Sequence, residues 1–146
     1  LILDKFLKNV KIDEANIKKE LQNQKMQREY LLSEILFELE TNNELENKIG
    51  KNINSSRFRA NLLIDEGNPW EEFNWIGKKV SVGECVLEVF KKTQRCAATN
   101  VNPVNAIRDI NIPNEINTHY GHLDLGVYAR VVKTGLVSIS DKLYIN

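Results

Sequence analysis

The sequence predicts a mainly β, α+β fold: an antiparallel β-barrel with helices on its N-terminal side. Three observations predict it. From Lys79 onward, short apolar-alternating runs are separated by turn residues; residues 11–40 carry apolar side chains at helical spacing; and Thr41 to Gly50 reads as a second, capped helix. With 146 residues and 42% hydrophobic content, the chain can bury one sizeable core, and a second domain would be hard to fit. The expected organisation is a helical segment over residues 1–49 followed by the barrel over residues 50–146.

Leu1 to Val10 mixes apolar residues with lysines and has no assignable role. From Lys11 to Glu40 there is no glycine or proline, and Ile17 with Leu21, then Leu32, Ile35, Leu36 and Leu39, recur at three and four residues, which predicts a helix. Thr41-Asn42-Asn43-Glu44 has the spacing of a capping box, so a short helix should follow, with Leu45 and Ile49 on its apolar side and Gly50 ending it. From Arg57 the sequence alternates polar and apolar side chains until Leu63, which predicts a strand with Arg57, Arg59 and Asn61 on one face and Phe58, Ala60, Leu62 and Ile64 toward the core. Gly67-Asn68-Pro69 is loop chemistry, and the aromatics that follow, Trp70, Phe73 and Trp75, are expected to pack a barrel end. Val80-Ser81-Val82 and Cys85 to Phe90, joined by Gly83-Glu84, make a hairpin in which Cys85 is a small buried hydrophobe. The polar stretch 105–117 reads as a functional loop, because Pro113 excludes a long helix across it. Strands are expected over Leu125 to Val132, Leu136 to Ile139 and Lys142 to Ile145.

Lys+Arg and Asp+Glu both number 20, so net charge gives no reason to expect nucleic-acid or membrane binding. Two cysteines are too few for a disulfide scaffold, and no apolar run approaches the roughly 18 residues of a membrane span. A cytoplasmic setting is expected, with a small-molecule substrate. The composition does not bear on the oligomeric state.

The candidate reactive atom is the thiol of Cys96, in Arg95-Cys96-Ala97-Ala98-Thr99-Asn100-Val101-Asn102-Pro103. A cation beside a cysteine favours the thiolate, the form that attacks electrophiles and binds soft metals. Arg57, Arg59 and Asn61 on one strand face would suit an anion, and Arg108 could bind one from the later loop. A zinc site from Cys85, Cys96, His119 and His122 lacks the close cysteine pairs such sites use, and both histidines are expected to be hydrogen-bonded structural residues.

Five segments occur in a fixed order: Arg57-Phe58-Arg59-Ala60-Asn61, Trp75-Ile76-Gly77, the Cys96 segment, Arg108-Asp109 and Gly126-Val127-Tyr128. In this order they resemble the MOSC family, the C-terminal domain of molybdenum cofactor sulfurases, which includes the mitochondrial amidoxime-reducing component and bacterial relatives. Ala60 departs from the family's proline and Ser140-Asp141 from its late glycine-aspartate turn. The charged stretch opening at Leu1 stands where the family has a longer region, so a shortened or divergent front is expected.

The resemblance implies an antiparallel MOSC-type barrel that binds a molybdopterin-type molybdenum cofactor. Cys96 would be the molybdenum ligand and catalytic residue; Arg59 and Asn61 would contact the pterin phosphate end, with Arg57, Arg95, Thr99 and Arg108 around it. It further implies an oxidoreductase that reduces N-hydroxylated or N-oxide compounds, supplied with electrons by a separate redox protein because the chain has no ferredoxin-like cysteine cluster. The alternative is a carrier of the cofactor, or of sulfur as a Cys96 persulfide. At family level, pyridoxal phosphate binding also enters.

Overall fold

A computed structural model describes residues 33–65 and 67–146, so most of the helix expected over residues 11–40 lies outside the described residues. Over Ser33–Glu38 the expectation fails, because that stretch is a strand, β1, and among the described residues only Leu39 and Glu40 of the expected helix are helical. Ile35-Leu36-Phe37 is a contiguous apolar run because this strand is covered on both faces, and such a run carries no alternation to distinguish strand from helix. The chain continues through helix α1 (Leu39–Ile49), β2 (Leu62–Ile64), β3 (Lys79–Val82), β4 (Cys85–Gln94), helix α2 (Ile112–Tyr120), β5 (Asp124–Lys133) and β6 (Leu143–Ile145). Three 3-10 turns, Ser55–Phe58, Glu71–Trp75 and Ala97–Asn100, lie between them.

The expected second helix is present and ends at Gly50, whose φ of 70° suits glycine and lets its N–H bond back to Glu46 O. Its start differs, since Glu38 rather than Thr41 occupies the N-cap. Helix α2 begins within the stretch read as a loop and runs three residues past it. Pro113 sits in its first turn, where a missing N–H costs nothing, and the Asn111 side chain accepts from Asn114 N at 3.3 Å.

The strands form one mixed sheet in the order β2-β1-β5-β4-β3-β6. The β3–β4 hairpin is as expected, with Val82 paired to Cys85, whereas Leu136–Ile139 is not a strand. All pairings are antiparallel except β1 with β2, where Leu36 lies opposite Leu62. Edge strands β2 and β6 line the same cavity, so the sheet curls into a half-barrel. This is the α+β, mainly β architecture the sequence predicts.

The sheet has two cores. Inside the curl lie Leu36, Trp75, Val80, Cys85, Leu87, Val89, Val127 and Ala129. On the other face, Phe37 and Leu125 pack with Leu45 of α1, Ile112 and Ile116 of α2, and Ile53, Phe58 and Ile110 from the loops. Leu36 and Phe37 serve opposite cores by ordinary strand alternation. Leu125 and Val127 also serve opposite cores, although they are two residues apart. The cause is a bulge. Lys92 pairs with Val127 and Gln94 with Asp124, and between them Gly126 takes φ 77°. A Cβ at Gly126 would lie 2.9 Å from Leu36 O and 3.1 Å from Arg95 Nη2.

Two carboxylates, Glu38 and Glu72, are fully buried. The Thr41 hydroxyl of α1 lies 3.2 and 3.4 Å from the two Glu72 oxygens, donating to that carboxylate, and it accepts from Trp70 N at 2.7 Å. Burial pushes the Glu72 carboxyl up to about 7. The folded state therefore holds this proton more tightly than the unfolded chain, where the ordinary value is 4.5. Stability should fall as pH rises from about 4.5 to about 7 and level off above that, a loss on the order of 3 kcal/mol.

Two predictions follow from these packing features. Gly126→Ala should destabilise the protein by on the order of 1–3 kcal/mol in denaturant unfolding, since a Cβ would crowd Leu36 O at a left-handed φ. Glu72→Gln keeps an acceptor for Thr41 and removes the titration. Its stability relative to wild type should rise between pH 4.5 and 7 and stay flat above, and an unchanged difference across that window would disprove the assignment.

Candidate functional site

The segment Asn54 to Asn61 does not form the expected strand, and Arg57, Arg59 and Asn61 do not share a face. Asn54 caps a 3-10 turn by accepting from Ser56 N at 3.0 Å, and Arg59 ends that turn with φ 51°. Asn54-Ser55-Ser56 was the signal for it: short polar side chains that bond nearby amides favour turns over strands. Three neighbouring residues that looked equivalent in sequence therefore have three different environments.

Arg57 is buried. Its Nη2 donates to both carboxylate oxygens of Asp109 at 2.6 and 2.8 Å, and its Nη1 donates to Asn100 O at 3.1 Å and Thr99 O at 3.5 Å. One guanidinium thus ties the turn at 55–58 to the turn at 97–100 and to the loop at 109. Asn102 Nδ2 adds a 2.8 Å bond to Asp109, and the Arg57 bonds hold the Asp109 carboxyl below the usual carboxylate range. That contribution to stability is present above the ordinary carboxylate pKa and is lost as pH falls through the depressed value.

Asn61 makes a two-point bond to β1: its N–H donates to Ile35 O at 2.9 Å, and its Oδ1 accepts from Ile35 N at 2.8 Å. The side chain is occupied in extending the sheet ladder. Arg59 is exposed, and its side chain makes no hydrogen bond or ion pair among the described residues.

Arg95 turns away from solvent. Its Nε donates to Leu125 O at 2.7 Å and its Nη1 to Phe58 O at 2.8 Å, with the guanidinium 5.3 Å from the Phe58 ring. Burial draws it down to about 10, so it is still cationic at neutral pH. The bond to Phe58 O joins the residue before Cys96 to the residue before Arg59.

Cys96 itself is exposed and stands at the N-cap of the turn Ala97–Asn100. Thr99 is buried and donates its hydroxyl to Cys96 O at 2.8 Å, which fixes the backbone that carries the thiol. Arg108 is exposed, and its backbone bridges to Val101, so the 101–108 loop closes beside the same turn. The structure thus brings the Cys96, Arg59 and Arg108 segments to one place through Arg57 and Arg95, which act as braces while Arg57 Nε and Arg95 Nη2 stay buried without a hydrogen-bond partner among the described residues.

Cys85 is buried in the half-barrel core, as expected. His122 Nδ1 accepts from Asp124 N at 3.2 Å, and His119 lies 3.6 Å from Glu115 on α2, in keeping with structural histidines. Among the described residues no group of three or more His, Cys, Asp or Glu side chains is placed to hold a metal ion. Trp75 is buried in the core, and Trp70, Phe73, Tyr120 and His122 form a half-buried aromatic cluster, with Trp70 and Tyr120 ring centres 4.4 Å apart. No helix among the described residues is long and apolar enough to cross a membrane.

The contrast between the two thiols is directly measurable. A small thiol reagent on the native protein should label exposed Cys96 at least tenfold faster than buried Cys85. Equal rates read by mass spectrometry would refute the placement of Cys96 at the surface.

The fold is similar to that in the crystal structure of YiiM from Geobacillus stearothermophilus, with a TM-score of 0.59 and 18% identity over 77% of this chain and 53% of that one. The chain therefore spans about half the length of that protein, and at this identity the likeness speaks to the fold. No curated protein shows significant similarity. The MOSC domain model matches residues 35–144, from the first strand to the last, taking in the braced loops and the Cys96 turn, and on that match the chain belongs to the MOSC domain family.

Proposed function

We propose that this chain binds a molybdenum cofactor through the Cys96 thiolate and, so loaded, reduces N-hydroxylated or N-oxide compounds. The observation that carries the reading is an exposed thiol on a turn held rigid by two buried arginines, with two exposed guanidiniums on the loops those arginines brace. The MOSC match supports the choice of guest, since the family is associated with this cofactor.

The donor set fits. A thiolate is a soft ligand suited to molybdenum, and a planar guanidinium matches the oxygens of a phosphate. Cys96 would hold the metal, and Arg59 and Arg108 would hold the phosphate end. Arg57, Arg95, Asn61 and Thr99, grouped with them on sequence, would act one step removed by fixing backbones. When bound, the cofactor supplies a metal that accepts an oxygen atom from the substrate in a two-electron step, with the electrons returned by a separate redox protein. The chain's own part is to present the sulfur in a fixed position and to neutralise the phosphate.

Molybdenum should be measured by elemental analysis on the full chain purified from a cofactor-producing host. We expect bound molybdenum in the wild type and its loss in Cys96→Ser, because a neutral hydroxyl replaces a thiolate poorly on a soft metal. Arg59→Ala should weaken cofactor binding by on the order of 1.5–3 kcal/mol while thermal unfolding stays unchanged. Molybdenum retained in Cys96→Ser, or absent from the wild type, would overturn the reading; sulfane sulfur on Cys96 without molybdenum would reassign the chain as a sulfur carrier.

A further inference from the structure

His122 is packed among aromatic rings, yet one of its nitrogens is left over. Its Nδ1 accepts from Asp124 N at 3.2 Å, so the ring proton sits on Nε2. Trp70, Phe73 and Tyr120 hold the imidazole, with ring centres 5.4, 5.7 and 6.1 Å away. Nε2 makes no hydrogen bond among the described residues and is not one of the buried unpartnered atoms, so this N–H reaches solvent from a ring that is fixed in place.

Two independent routes place this donor beside Cys96. The first is strand register. Gln94 pairs with Asp124, and the ladder continues with Arg95 N donating to Leu123 O at 2.8 Å. Cys96 follows with extended backbone, φ −124° and ψ 177°, so the next position across from it is that of His122. Residues opposite each other in such a ladder are neighbours, about 5 Å apart at Cβ. The second route is the sheet face. Lys92 pairs with Val127 of the inner core, and Lys92, Gln94 and Cys96 share that face by alternation. Lys92 Nζ lies 4.3 Å from the centre of the Phe73 ring, which packs against the same core and stands edge to face with His122. Arg95, between Gln94 and Cys96, turns the other way to Phe58. Thiol and imidazole therefore come to one lip of the half-barrel.

This lip differs in chemistry from the braced loops. Those carry the exposed guanidiniums of Arg59 and Arg108, which suit an anion, whereas here one cation, Lys92, and one anion, Asp124, balance beside aromatic rings. A neutral guest fits, with an oxygen that accepts from His122 Nε2.

We propose that His122 is a substrate-binding residue of the Cys96 site, its Nε2–H donating to the oxygen of a neutral N-oxide or N-hydroxyl group while Phe73 lies along the apolar body of the guest. The assignment rests on the reductase reading above and names a contact within it.

The full chain is prepared from a host that makes no molybdenum cofactor and titrated at neutral pH with pyridine N-oxide and with pyridine, following the imidazole resonances. The chain has two histidines, and His119, beside Glu115 on α2, is the internal reference. Pyridine N-oxide should shift His122 saturably at millimolar concentration, leave His119 in place and slow the labelling of Cys96 by a thiol reagent. Pyridine, which lacks the oxygen, should bind about fivefold more weakly, the worth of one hydrogen bond. His122→Phe keeps a ring among the aromatics but has no donor, so protection of Cys96 should weaken by a similar factor; His122→Gln, which restores an N–H, should recover it. From a cofactor-producing host, His122→Phe should carry as much molybdenum as the wild type. Equal binding of the two ligands, an unshifted His122, or undiminished protection in His122→Phe would overturn the proposal, and so would loss of molybdenum in that variant alone. Molybdenum missing from both proteins would overturn the cofactor reading and leave the His122 contact standing on the titration, which is done without the cofactor.

Discussion

The ion pair between Arg57 and Asp109 is the constraint on which the candidate site depends. Its energy as an isolated pair matters less than its connections, because the same guanidinium also holds Asn100 O and Thr99 O. A lysine at 57 would carry the charge but lacks the planar fork that reaches a carboxylate and two carbonyls together. Arg95 makes the complementary brace between Phe58 and Leu125. With two buried cations serving as cross-links, irregular loops gain the rigidity that strands have by hydrogen bonding.

This division of labour gives chemically identical side chains different roles. Arg57 and Arg95 are buried and committed to protein acceptors, whereas Arg59 and Arg108 are exposed. The thiols divide in the same way, Cys85 filling space in the half-barrel and Cys96 standing in solvent on a turn. What distinguishes each pair is the local backbone, and turn geometry therefore decides the chemistry more than residue type does.

The legibility of the fold follows the same line. The β3–β4 hairpin could be read because one face is buried and the other is wet, so alternation survives in the sequence. Helix α1 announced its end at Gly50, and the order of five short segments pointed to the family. Strand β1 was illegible because Leu36 and Phe37 face two different cores, which erases the period and leaves a pattern that also fits a helix. The Arg57 segment alternated well enough to pass for a strand, and the polar cap at Asn54 prevailed. At the site, the position of Cys96 at the surface could be anticipated, but the bonds of Arg57 to residues 42 to 52 positions away could not.

The bulge at Gly126 has a consequence for how β5 can pair. A regular strand slips along its neighbours in steps of two residues with no change in which side chains face which core. In β5 the inversion between Leu125 and Val127 sits at one place, so any slip would carry an apolar residue of one core into the other and move the left-handed glycine away from Leu36 O. The central strand is thereby locked to a single alignment, and one glycine sets the register against both neighbours.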